Sequence, residues 1–136
     1  MFFKKNSSEA KNKFLNKICA LLIYAAKIDE NYTVNEEEII SKTLLALGLD
    51  EKKIPKTIEA AKLLEENSNQ ILDFTREVKN FSETNKIKII NALWSIIYSN
   101  NEADIYETNL MRRLAGLLYI DSKTMGDIKD KIKNKS

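Results

Sequence analysis

Residues 18–50 read ICALLIYAAKIDENYTVNEEEIISKTLLALGLD, and residues 89–121 read IINALWSIIYSNNEADIYETNLMRRLAGLLYID. Laid over one another at a shift of 71 with no gap, the two stretches share one plan. Each runs from an apolar segment through an acidic, amide-rich break into a second apolar segment. Leu22 meets Leu93, Glu36 meets Glu107, Ile39 meets Leu110, Leu47 meets Leu118 and Asp50 meets Asp121. Identities are few, so the shared order carries the signal. In the first stretch and just before it, Phe14, Ile18, Leu21, Leu22 and Ala25 follow the i, i+4, i+7, i+8, i+11 stripe of a half-buried helix.

The same period extends outward. Ile39, Ile40, Leu44 and Leu47 predict a second helix, stopped by Gly48. A third is expected from Glu51 or Pro55 to Glu66, with Ile58, Ala61 and Leu64 inward and Pro55 confined to the first turn. Ile71, Phe74, Val78 and Phe81 mark a fourth. Ser82 caps a fifth, with Ile89, Ile90, Leu93, Ile96 and Ile97 inside and Trp94 and Tyr98 as core aromatics on its flank. Leu110, Leu114 and Leu117 or Leu118 mark a sixth, and Met125, Ile128 and Ile132 a short last one. No run alternates with the period of a strand. Three Gly and one Pro leave little material for tight turns. The fold class expected is all-α: a compact bundle of about seven helices in two pseudo-repeated halves, 18–50 and 89–121, forming one domain over 1–136 with its core in about 13–132.

Composition removes several functions. The chain has 136 residues, 43% of them apolar and 31% charged, enough to bury a core without staples. A formal charge of +2 provides no concentrated basic face, so no nucleic-acid partner is expected. The Lys-rich runs KKNSSEAKNK and KDKIKNK alternate with acids and amides and read as solvated helix faces or frayed ends. The absence of His excludes Ser-His and Cys-His catalysis and every His-containing zinc site. Cys19 is single and set among apolar residues, which predicts a buried structural thiol and a reducing compartment. MFFKK is too short for a signal-peptide core, and no window approaches the roughly 20 apolar residues of a membrane span. A cytoplasmic protein without stable membrane insertion is expected, in which the N-x-S/T triplets at Asn6, Asn31 and Asn80 carry no glycan.

The acidic breaks admit two explanations. TVNE at 33–36 is a capping box: the Thr33 hydroxyl accepts from the amide three residues on, and Glu36 reaches back. DIYE at 104–107 repeats it with Asp104 as cap. Each cap stabilises by about 1 kcal/mol. Capping uses one or two acids per helix, however. From Ile28 to Ser41 there are five carboxylates, and from Ile89 to Met111 three, with no Lys or Arg in either span. Like charges at about 4 Å cost roughly 4 kcal/mol at the effective dielectric of a protein surface. A lysine from elsewhere or a hard cation would offset that repulsion. The EF-hand template fails: with Asp29 first, Val34 stands at the Gly position and Ile40 at the Glu position, and Ile105 and Met111 fail likewise in the second loop. All-oxygen donors would select Ca²⁺ or Mg²⁺ over zinc.

The pattern helix, A-x-A-D-G-x-x-x-x-x-x-E, helix, occurring twice in an all-α chain, resembles the tellurite-resistance protein B (TerB)-like family, especially its short stand-alone bacterial members. AAKIDENYTVNEEEII carries the first motif and LWSIIYSNNEADIYETNLMRRLAGLLYI the second, with Tyr98, Glu107 and the pair Arg112-Arg113 the most specific part. The likeness runs from about Lys13 to Ile132. Where the family pattern has Asp-Gly, this chain has Asp29-Glu30 and Asn100-Asn101; Asn still offers a carbonyl oxygen. The resemblance implies two pseudo-repeated helical halves, a link to tellurite resistance and stress response, and no catalytic residue. It also implies a divalent-cation site, Ca²⁺ or Mg²⁺, at Asp29, Glu36, Asn100 and Glu107. The alternative is a protein-interaction module whose acidic loops are caps or a docking face for a protein partner.

Overall fold

The computed structural model describes residues 2–28, 34–68, 72–76, 78, 81–100 and 105–135, with side chains at all of these except 2–12, 34, 100, 105 and 135. Among the described residues there are seven α-helices and no strand: α1 (Phe2–Lys27), α2 (Val34–Ala46), α3 (Ile54–Asn67), α4 (Leu72–Thr75), α5 (Glu83–Ile97), α6 (Ile105–Leu117) and α7 (Ser122–Lys135).

The expected stripe on α1 is real but too narrow. From Ile18 to Ile23 every side chain is at most 2% exposed, so this stretch is apolar and enclosed on all sides. A helix of that kind is a central one, and α2, α3, α4 and α5 all pack against it. Each Leu or Ile enclosed there contributes about 1.5–3 kcal/mol of burial. The helix also extends to Phe2, so the Lys-rich run, expected as a solvated helix face or a frayed end, is helical. The Cys19 thiol lies in this wall and is pushed up to about 12, first by burial and then by the negative Glu37.

The second central helix is α5, in contact with α1, α2 and α7. Ser82 begins it as expected, its Oγ accepting from Asn85 N at 3.2 Å. Ile89, Ile90, Leu93, Ile96 and Ile97 are all buried, and so are Trp94 and Tyr98, whose rings stack at 5.9 Å between centroids.

The shift of 71 reappears in the backbone. It carries both ends of α2 onto both ends of α6. Both helices finish in the same Schellman geometry, with a left-handed residue after the last turn. Gly48 (φ 98°) donates to Leu45 O and Leu49 to Leu44 O; Tyr119 (φ 57°) donates to Gly116 O and Ile120 to Ala115 O. An aspartate then starts the next element in each half. Asp50 Oδ1 accepts from Lys52 N at 3.1 Å, opening a 3-10 turn at Glu51–Lys53 that leads into α3. Asp121 Oδ1 accepts from Thr124 N at 2.6 Å, opening α7. The all-α bundle in two pseudo-repeated halves is therefore the observed architecture.

Two expectations need correction. Leu64 is not inward on α3 but 40% exposed. The buried stripe of Ile54, Ile58 and Ala61 continues instead to Glu65, whose side chain is 12% exposed and accepts an ion pair from Lys27 Nζ at 2.8 Å. The fourth helix is a single turn. Phe74 and Val78 are buried and Phe81 packs on Phe14 at 4.0 Å between centroids, but the helix itself spans only Leu72–Thr75. Ile71 lies outside the described residues. No helix among the described residues is long and apolar enough to cross a membrane.

Candidate functional site

Two chain breaks carry the acidic stretches. The first separates the end of α1 at Lys27 from the start of α2 at Val34. The second follows α5, whose last turn tightens into a 3-10 turn at Tyr98–Asn100, and ends where α6 starts at Ile105. The helix bounds put Thr33 and Asp104 one residue before the first helical residue, in agreement with the spacing of the two capping boxes. Thr33, Asp104 and Asp29 lie outside the described residues, as does the side chain of Asn100.

Glu36 and Glu107 are described, and both are buried. Each is the third residue of its helix, and they are 1% and 3% exposed. A capping box asks of this glutamate only that it reach back to the N-cap amide, so its enclosure comes from the surrounding fold and not from the motif. A carboxylate out of water is costly unless hydrogen-bonded, paired or ligated, and neither of these lacks a partner. The N-terminal end of a helix favours a negative group, which lowers the cost at both positions.

The two halves meet at Glu36. Its Oε1 lies 3.3 Å from Ser99 Oγ, on the turn that leads into the second acidic stretch. Ser99 has one hydroxyl proton and lies 2.6 Å from Ile96 O, so the carbonyl takes the main share and the carboxylate a weaker one. The Tyr98 phenol is held above its ordinary value of 10.0, first by burial and then by the negative charges of Asp130 and Glu107. Glu36 thus contacts Ser99, while Glu107 contributes only a negative charge felt at the neighbouring Tyr98. Sequence reading did not single out Ser99. Its counterpart at the shift of 71 is Ile28, so the repeat carries no signal for a hydroxyl there.

Of the four expected ligands only the side chains of Glu36 and Glu107 are described, at the mirrored first turns of α2 and α6. Among the described residues no three His, Cys, Asp or Glu side chains are grouped closely enough to hold a metal ion. Glu36, Glu107 and Ser99 offer carboxylate and hydroxyl oxygens only, a donor set suited to a hard cation.

The family model described as Tellurite resistance protein TerB matches residues 16–130. No curated protein and no solved structure matches the chain. The match takes in α1 from Asn16, both acidic breaks, the two Schellman turns and most of α7. Family match, helical architecture and mirrored glutamates agree, and the chain belongs to the TerB family.

Proposed function

We propose that this protein is a non-enzymatic TerB-type helical module that binds a divalent cation, Ca²⁺ or Mg²⁺, weakly through its two acidic interhelical segments. The supporting observation is the paired burial of Glu36 and Glu107 at mirrored helix starts, with Glu36 touching the turn that precedes Asn100. Asp29, Glu36, Asn100 and Glu107 would hold the ion, and Ser99 stands close enough to Glu36 to orient it. The ion would contribute positive charge where five and three carboxylates accumulate without a neighbouring Lys or Arg in the sequence. A role in tellurite resistance or stress response belongs to this proposal as its biological setting.

The test separates ligands from caps. Asp29→Ala and Glu36→Gln are expected to reduce the rise in melting temperature that Ca²⁺ causes. Thr33→Ala should lower stability by about 1 kcal/mol and leave that rise intact. If all three lower the melting temperature and none changes the response to Ca²⁺, the cation proposal is lost.

A second reading rests on a different observation. Leu64, Leu72 and Tyr119 are exposed by 40, 38 and 70%. They flank Arg76, with Leu64 on one side of it and Leu72 and Tyr119 on the other. Apolar side chains grouped around a cation on the surface favour a protein-interaction module. Substitution of Leu72 and Tyr119 by Ser would then abolish partner capture without changing cation response.

A further inference from the structure

We propose that the groove between α5, α6 and α7 is a binding site for a small amphiphilic monocarboxylate, separate from the acidic segments. The groove encloses about 200 Å³. Its floor is apolar: the Trp94 indole, the Met111 and Met125 thioethers and Ala115. Trp94 is fixed there, because its Nε1 donates to Met125 Sδ at 3.3 Å. Arg112 and Lys129 line the rim, Lys129 Nζ standing 5.5 Å from the centre of the indole ring. No acidic side chain lines the groove, although Asp127 and Asp130 belong to the same helix as Lys129. Among the described residues neither Arg112 nor Lys129 enters an ion pair.

These features specify the ligand. Two cations over an apolar floor match a molecule with one anionic end and an apolar body. Inorganic phosphate would lose hydration against the indole and thioethers without recovering it. The volume is below the roughly 300–1,000 Å³ of drug-sized sites, which limits the body to about one ring. A carboxylate can accept the planar Arg112 fork in bidentate fashion, and Lys129 contributes a point charge. The groove between α2 and α5 also carries two lysines, Lys42 and Lys88, but has no aromatic ring or thioether in its lining, and Lys88 Nζ donates to Ala46 O, 3.1 Å away at the negative end of α2. Around Arg76, Asp73 mixes the charge. The Arg112-Arg113 pair, prominent in the sequence, gains a division of labour: Arg112 lines the groove and Arg113 does not.

Trp94 is the single tryptophan, so its emission reads the groove directly. Titration of the full chain with phenylacetate should give a saturable change, with weak affinity ordinary for so small a ligand. Benzyl alcohol, which lacks the charge, should bind about tenfold more weakly, and Arg112→Gln should cause a similar loss for phenylacetate. Arg113→Gln should leave the titration unchanged. Gly126 lines the groove from α7, and a Cβ built there meets no atom within 4 Å. Gly126→Leu therefore fills the groove while improving helix propensity, and should abolish binding with the helical circular dichroism retained. A non-saturable response, equal affinity for benzyl alcohol, or unimpaired binding by Gly126→Leu would overturn the proposal.

Discussion

Gly48 and Tyr119 occupy equivalent places in the two halves, yet they should respond unequally to substitution. Both sit after the last turn of a helix with positive φ, where their own amide and the following one return to the helix. Tyr119, at 57°, lies in the centre of the left-handed well that an L-residue can enter at about 1–2 kcal/mol. Gly48, at 98°, lies well beyond that centre, where a Cβ strains the backbone. Alanine at 48 must hold this strain or release the two turn bonds, each 3.0 Å long, that seat buried Leu49. Gly48→Ala is therefore expected to cost about 1–3 kcal/mol, which is about 4 °C in melting temperature for each kcal/mol at this length.

Tyr119→Gly removes the left-handed penalty but adds glycine's entropy of about 0.5–1 kcal/mol. It also loses the Lys86 ammonium 5.9 Å from the ring centre, a contact worth about 0.5 kcal/mol at an exposed site. The net falls between about 0.5 kcal/mol destabilising and 1 kcal/mol stabilising. Urea unfolding followed by circular dichroism at 222 nm reads both variants against the parent. Midpoints displaced equally by the two substitutions, or no displacement by Gly48→Ala, would refute the assignment of Gly48 to a strained position.

Three further outcomes are expected. Leu22→Ala, in the enclosed stretch of α1, should cost about 2–5 kcal/mol, whereas Leu64→Ala should stay within about 0.5 kcal/mol, both read by denaturant midpoint. Asp121 is held below its ordinary value of 3.8, chiefly by the backbone amide of Thr124. A depressed carboxyl stabilises the fold above its unfolded value and loses that contribution as pH falls through the folded one. The melting-temperature advantage of the parent over Asp121→Ala should accordingly be full above about pH 5 and shrink steadily below pH 4. Cys19, buried and pushed up to about 12, should resist alkylation by maleimide at pH 8 and react only at the rate at which the chain opens.

Sequence legibility followed the physics of each element. Ser82, Gly48 and the stripe of α5 were readable because a cap, a stop and a 3.6-residue period are local properties. The length of α1 was not, because its first half is polar and carries no apolar stripe from which a 3.6-residue period could be read. The spacing of Phe74, Val78 and Phe81 satisfied a helix, but their burial does not require one, and α4 is a single turn. Leu64 was misplaced because Glu65 takes the inward position, its charge met by Lys27 of α1, a partner distant in sequence. At the acidic breaks, the motif indicated which residues begin the helices. It carried no information on burial, which places Glu36 against Ser99 of the opposite half. Tyr119 gave no sign of its left-handed backbone, since the residue type is ordinary and only the repeat relation to Gly48 marks it.

The most direct measurement is calorimetric titration of chelator-stripped protein with Ca²⁺, then Mg²⁺ and Mn²⁺. The expected result is saturable heat in the micromolar to millimolar range, lost in Glu36→Gln and in Asp29→Ala. A flat titration in all three ions would contradict cation binding, leaving the acidic segments as helix caps with surplus charge.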